Sequence, residues 1–304
     1  MESYFWQDLA FWQSLATALT LGSLYALISV GYTMVYGILR LINFAHGDIF
    51  MMALYFAFFS ISIFMLPWPI AIILVIVATG FLGMLLERTA YRPLRERQAP
   101  RISLLISAIG ASYLLENLAT VLFGGRPKAF PQIPLFTDIT IVAGVRIQRL
   151  SFIVPLVTIG LVALLIYLIN RTKIGMGMRA ASVDEQTAEL MGIDVNRTIS
   201  ITFLIGSMMA AVGAFFWGLT YPNIIPTIGV MPGLKCFIAA VIGGIGNVKG
   251  AVLGGLILGI IEILFVYFFP GLTGYRDAFA FVLLIVILLV KPSGLLGKPL
   301  AEKV

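Results

Sequence analysis

The residues best suited to chemistry in this 304-residue chain are few, and most lie inside long apolar stretches. Ile42–Asp48 is the densest of them: Asn43, His46 and Asp48 bring an amide, an imidazole and a carboxylate together, and Gly47 between them is free to break a helix. One reading is an interrupted membrane segment that lines a transport path, its half-helix ends meeting the ammonium and carboxylate of a zwitterion. The other is that Asn43 and Asp48 cap a helix while His46 satisfies a backbone carbonyl. Catalysis is disfavoured, because His46 is the sole histidine and no second base or nucleophile stands at a useful spacing. The lone cysteine, Cys236, rules out an intramolecular disulfide and a cysteine metal cluster, and the lone histidine leaves little room for a His-based metal site or a serine-hydrolase triad. The pattern G-x-x-x-x-G-K-[ST] is absent, so the chain has no P-loop of its own for ATP. No cofactor and no metal site are expected.

Glu116 and Glu262 also lie within apolar segments, where a carboxylate is costly unless protonated or paired. They could couple transport to protons or another ion, as in a secondary transporter. The position of Glu116 beside Asn117, and of Glu262 after a run of glycines, favours hydrogen-bonded contacts between helices instead. No pairing of transmembrane acids with bases is evident in the sequence.

A second kind of chemistry is recognition by a protein partner. Ile174–Arg197 is a charged loop between two apolar spans, and Ser182 followed by Glu185 has capping-box spacing, which predicts a short helix from Val183. Val183, Thr187, Leu190 and Met191 fall on one face of it, with Asp184, Glu185, Gln186 and Glu189 opposite. Gly192 supplies the stop, and Ile193 is the apolar residue behind it. A helix lying on a lipid surface carries Lys and Arg on its polar face, because the inner leaflet is anionic. The acids here point instead to a docking helix with a basic protein groove as its mate.

The elements that must position these groups are membrane helices. The chain is 60% hydrophobic and 11% charged, with a mean hydropathy of +1.04, values that no soluble domain needs. Apolar segments run over Phe11–Val30, Ile49–Leu66, Trp68–Leu86, Ile102–Phe123, Ser151–Ile169, Ile199–Leu219, Ala251–Phe269 and Ala278–Val290. Gly31–Asp48 is apolar but punctuated. Leu234–Ile245 falls short of the roughly 20 residues that a span requires and reads as a half-helix or re-entrant piece. The expectation is an all-α polytopic membrane protein with about eight or nine membrane helices, including broken or re-entrant ones, in a single domain over residues 1–304. The N-terminal MESYFWQDLA has no basic region, so no cleaved signal is read there.

Lys and Arg in short loops orient the chain. Arg88–Arg101, read as a compact basic loop, goes inside, and the docking loop 174–197 and the lysines of the tail go with it. Residues 124–150 then form an extracytoplasmic loop, stiffened by Pro127, Pro131 and Pro134, with a small hairpin over Thr137–Ile147 turning at Ala143–Gly144. The side of the N-terminus stays open. The net charge of +6 is spread over short loops, which suits contact with membrane lipid and argues against nucleic acid. Gly246, Gly250 and Gly254 recur every four residues, with Gly255 and Gly259 on an adjoining stripe, and Gly206, Ala210 and Ala214 do the same in the preceding span. Such stripes let helix backbones approach in lipid, and close smooth contacts also suit a rocking surface.

Several long segments carry a family resemblance. GSLYALISVGYTMVYGILRLINFAHGD at 22–48, MGIDVNRTISITFLIGSMMAAVGAF, and GGIGNVKGAVLGG within 233–262 occur in this order. Together they resemble the permease subunits of branched-chain amino-acid ATP-binding-cassette transporters, from about Leu15 to Ile263. The resemblance implies an inner-membrane subunit of a bacterium or archaeon that pairs with a second homologous permease and two cytoplasmic ATPases, which use the ATP. It also implies an external substrate-binding protein, and leucine, isoleucine or valine as cargo. Related permeases carry urea, short amides or other neutral amino acids, and the sequence leaves these open.

Overall fold

The computed structural model describes residues 9–142 and 144–297. The opening residues 1–8, Ala143 of the hairpin turn, and Lys298 and Lys303 of the tail lie outside the described residues. Leu9–Leu39 is one unbroken helix, α1, so the apolar run does not stop at Val30; the break falls at Arg40–Ala45. Helix α2 (His46–Phe58) then continues as a widened turn over Phe59–Ile63, where Phe64 N bonds Phe59 O. Pro67 and Pro69 start α3 (Trp68–Leu86), since proline is tolerated in a helix's first turn.

Arg88–Arg101 proves to be mostly helix rather than loop. Past Leu86, α3 widens over Glu87–Tyr91 and runs straight into α4 (Arg92–Glu96). The cause is local pairing: Arg95 reaches Glu87 at 3.1 Å and Arg92 reaches Glu96 at 2.8 Å, so the charges support a helical extension. Only residues 97–100 turn the chain into α5 (Arg101–Phe123).

Next come β1 (Lys128–Ala129), the single turn α6 (Pro134–Thr137), and the hairpin of β2 (Ile139–Val142) and β3 (Val145–Gln148), paired antiparallel from Ile139↔Gln148 to Val142↔Val145. Helix α7 (Leu150–Arg171) leads to α8 (Lys173–Val183), α9 (Glu185–Leu190) and α10 (Val195–Thr220). Strand β4 (Asn223–Ile224) pairs antiparallel with β1. The short α11 (Val230–Gly243), α12 (Val248–Phe268), a tight turn over Pro270–Tyr275, and α13 (Arg276–Val290) complete the chain. Among the described residues, eight helices are long and apolar enough to cross a membrane, and α11 is a shorter apolar helix beside them.

Two ends can be distinguished. At the hairpin end, the start of α1 (Leu9, Trp12) shares an apolar pocket with Val142, Val145 and Ile147. At the docking end, Arg40 donates to the carbonyls of Ser182 and Val183 at 3.2 and 3.4 Å. Helix α1 therefore runs from the hairpin end to the docking end, with α10 and α12 running back. Helices α1, α2 and α10 form the buried centre, while α5, α7 and α13 are exposed along most of their length. In lipid, apolar area gives helices little reason to pack against each other, so close backbone contact has to hold the centre together. Gly255 and Gly259 of α12 lie on Ala26 and Gly22 of α1, and Gly250 and Gly254 lie on Gly243 and Ala239 of α11. A side chain at any of the four would strike backbone atoms. Gly246 departs from the expected stripe: it sits before α12 in a turn with φ 86°, next to Gly37. Asn247 caps α12 by accepting from Lys249 N and Gly250 N, so the helix begins after Gly246.

Candidate functional site

Two helices begin in the middle of the bundle. The imidazole Nε2 of His46, at the start of α2, lies 3.2 Å from the carbonyl of Ile28. Ile28 is eleven residues before the end of α1, so α2 starts about 16 Å in from the docking end. Helix α11 starts at the same depth, because Gly47 packs on Gly229 and Gly233. From that point α2 runs to the hairpin end, where Lys128 lies over Phe58 and Phe59. Helix α11 runs to the docking end, where Leu295 N and Leu296 N bond the carbonyls of Ile242 and Gly243. The positive ends of two helix dipoles thus abut at mid-depth, with Asp48 in the first turn of α2 to offset them.

Asn43, His46 and Asp48 are 2%, 1% and 3% exposed, and each turns to a different neighbour. Tyr91 donates to Asn43 Oδ1 at 2.7 Å, His46 meets the Ile28 carbonyl, and Ser112 of α5 donates to Asp48 Oδ2. The three side chains therefore do not converge on one spot. Neither Asn43 nor Asp48 caps α2, whose N-cap is Ala45 without a side-chain bond.

A charge cluster that sequence reasoning misses lies at the flank of α11. Lys235 of α11 lies 2.7 Å from Glu262 Oε1 of α12 and 2.6 Å from Asp277 of α13. Arg276 Nε lies 2.8 Å from the same Glu262 oxygen, and Tyr25 of α1 donates to the other at 3.0 Å. Two cations and two anions cancel, and four helices are tied at one point. That arrangement suits a structural tie and leaves Glu262 without a free valence for ion coupling. Glu116 differs, with no side-chain hydrogen bond or ion pair among the described residues.

At the docking end, Thr172 caps α8 and the helix absorbs residues through Val183. Ser182 is therefore not the cap of the docking helix; its hydroxyl donates to Arg179 O inside α8. Asp184 caps α9 instead, accepting from Gln186 N at 3.0 Å and Thr187 N at 3.2 Å. Gly192, at φ 83°, ends the helix, and Ile193 N reaches Ala188 O. Leu190 and Met191 are 88% and 79% exposed beside exposed Glu189, while Val183, 77% exposed, ends α8 and, with extended Asp184 between them, does not share a helix face with these two. Partial burial raises the Glu185 carboxyl above its ordinary pKa; Glu189 and Asp184 push the same way, and Arg95 and Arg40 oppose them. Beneath it the segment is clamped: Arg95 reaches Asn196 at 2.5 Å, and Ser200 donates to buried Glu87 at 2.6 Å. This is a rigid mount for a protruding helix.

Comparison with known proteins supplies the context for this geometry. Residues 14–288 match the family described as branched-chain amino acid transport system, permease component. The high-affinity branched-chain amino acid transport system permease protein LivH of Salmonella typhimurium is 42% identical, over 98% of this chain and 99% of its own length. BraD of Pseudomonas aeruginosa, a permease protein of the same description, is 40% identical over 96% and 97%. A probable branched-chain amino acid transport permease protein of Methanocaldococcus jannaschii is 27% identical over 96% and 94%.

Proposed function

The chain belongs to the branched-chain amino-acid transport system permease family, and from that premise we propose that it forms one half of the membrane pore of an ATP-driven importer. As a member of the family it is a multi-pass transport subunit of the cytoplasmic membrane, acting within an ATP-binding-cassette importer for branched-chain amino acids, and it is not itself an enzyme. Its relatives' names favour leucine, isoleucine and valine as cargo. The partners proposed are a second, homologous permease, two cytoplasmic ATPases that hydrolyse the ATP, and an extracytoplasmic binding protein. The docking end then faces the cytoplasm, and residues 124–150 face outward.

The observation that carries the coupling assignment is α9: a capped helix on a rigid mount that exposes Leu190 and Met191 beside acids. A free-standing transporter has no use for such a strip. Closure of the ATPases would pull on α9, and the mount through Arg95, Asn196 and Ser200 would carry the movement into α3 and α10. Asn43, His46 and Asp48 are read as positioning groups that hold the start of α2 against α1, α5 and the extension of α3.

The test is charge reversal in the co-expressed complex. Glu185→Lys with Glu189→Lys should cut ATPase recovery strongly while the permease still inserts. Normal ATPase recovery and normal uptake would remove α9 from the coupling role.

A further inference from the structure

Four membrane helices present long exposed faces, and one of them is chemically different. The exposed face of α3 carries residues such as Ile73, Leu74, Val77 and Phe81, and that of α13 carries Val282, Ile285, Val286 and Leu289. On α7, Phe152, Leu156 and Ile159 are bare, and exposed polar side chains gather toward the docking end, at Tyr167, Asn170 and Arg171. Hydrocarbon chains cover such surfaces at no cost. Helix α5 touches the rest of the chain along a thin stripe of Ala108, Ala111, Leu115 and Ala119. Beside that stripe, in the half of the span nearer the hairpin end, lie Tyr113, 64% exposed, with exposed Asn117 and half-exposed Glu116.

These groups are poorly satisfied by their own chain. Asn117 turns one amide hydrogen back to Tyr113 O at 2.7 Å, and the Glu116 carboxyl has no hydrogen-bond or ion-pair partner among the described residues. Behind them Asp48 accepts from Ser112, so this stretch holds two acids and no base. Lipid tails offer no donors, and a carboxyl or amide facing them is strongly penalised. What covers this face must therefore bring hydrogen-bond donors or a cation at that depth. A mate of that kind is a protein span.

We propose that the α5 face centred on Tyr113, Glu116 and Asn117 is where this chain meets the second permease, through a span of that subunit bearing donors opposite Glu116. The inference rests on the two-permease reading above and deepens it by assigning the contact to one helix and one depth. Helices α3, α7 and α13 are left to lipid at the same level.

The test uses the assembled complex in native membranes. Photocrosslinking residues are introduced one at a time, as Tyr113→benzoylphenylalanine and Asn117→benzoylphenylalanine, with Ile73→benzoylphenylalanine and Ile159→benzoylphenylalanine as controls. Adducts to the second permease from the two α5 positions, and none from the controls, support the proposal. If the second permease co-purifies but is captured only from the controls, or from no position, the face is wrong while the importer assignment stands. Adducts between two copies of this chain overturn the commitment to a different subunit. If no second permease accompanies the chain at all, the two-permease reading fails and this inference falls with it. As an independent arm, Glu116→Leu should lower recovery of the second permease by roughly threefold to tenfold, the range of an interhelical hydrogen bond in lipid, and Glu116→Gln should restore most of it. Unchanged recovery with Glu116→Leu would count against the contact.

Discussion

Glu262 and Glu116 are the same side chain in the same kind of apolar helix, and their surroundings are opposite. Glu262 is 2% exposed and is held by Lys235, Arg276 and Tyr25 from three other helices. Glu116 stands half-exposed on α5, and its carboxyl has no hydrogen-bond or ion-pair partner among the described residues. The difference teaches where the protein ends. A carboxyl that the chain satisfies internally belongs to its architecture, and one left open on a membrane helix marks a surface that another molecule completes. The same division separates the glycines of α12, closed against α1 and α11, from the bare apolar strip of α9.

The comparison can be broken most sharply at Glu262. Glu262→Ala leaves Lys235 and Arg276 to share Asp277 alone, an uncompensated positive charge beside buried Lys235, and should cost about 3–5 kcal/mol, read as a lowered midpoint in thermal unfolding of the purified permease. Replacing both partners of the inner pair, Lys235→Met with Glu262→Met, should recover much of that loss, because Arg276 and Asp277 lie 3.8 Å apart and can pair with each other. A double variant as damaged as the single would show that the cluster is more than a neutralised tie. Next in size is Gly255→Leu. A Cβ at Gly255 would stand 2.5 Å from Ala26 N, so α1 and α12 must part, at a cost of up to about 3 kcal/mol.

Smaller effects are expected at the open surfaces. Asp184→Ala removes the cap of α9 and should destabilise that helix by about 1 kcal/mol, loosening ATPase association in pull-downs while the melting midpoint stays put. Smallest is Glu116→Gln, expected within about 0.5 kcal/mol of the parent stability for the isolated chain. A loss approaching that of Glu262→Ala would place Glu116 in the fold and erase the contrast.

The spans were legible from the sequence because their length and apolarity are properties of contiguous residues. The half-length of α11 and the hairpin at Thr137–Ile147 could be read for the same reason. Lys235 escaped notice because it stands alone in VMPGLKCFIAAVIG, and its partners arrive from two later helices. The capping-box spacing points two residues too early for the cap of α9, because Ser182 with Glu185 satisfies it and Asp184, followed by Thr187, does not. What decides is α8, and Gly175 and Gly177 disguise α8 in the sequence. Gly175 is in fact required, since a side chain there would strike the carbonyls of Leu168 and Ile169 at the end of α7. The exposure of α5 could not be read at all. Glu116 and Glu262 look alike until the helices are packed.

On the proposed reading, this chain moves its cargo only as part of an ATP-driven assembly. The most direct measurement is uptake of radiolabelled leucine into proteoliposomes with ATP inside and binding protein outside, reconstituted subunit by subunit. Uptake should appear only when this permease, the second permease and both ATPases are present together with the binding protein, and should stop when ATP is withheld. Robust accumulation by this chain alone, driven by a proton or sodium gradient without ATP, would contradict the account.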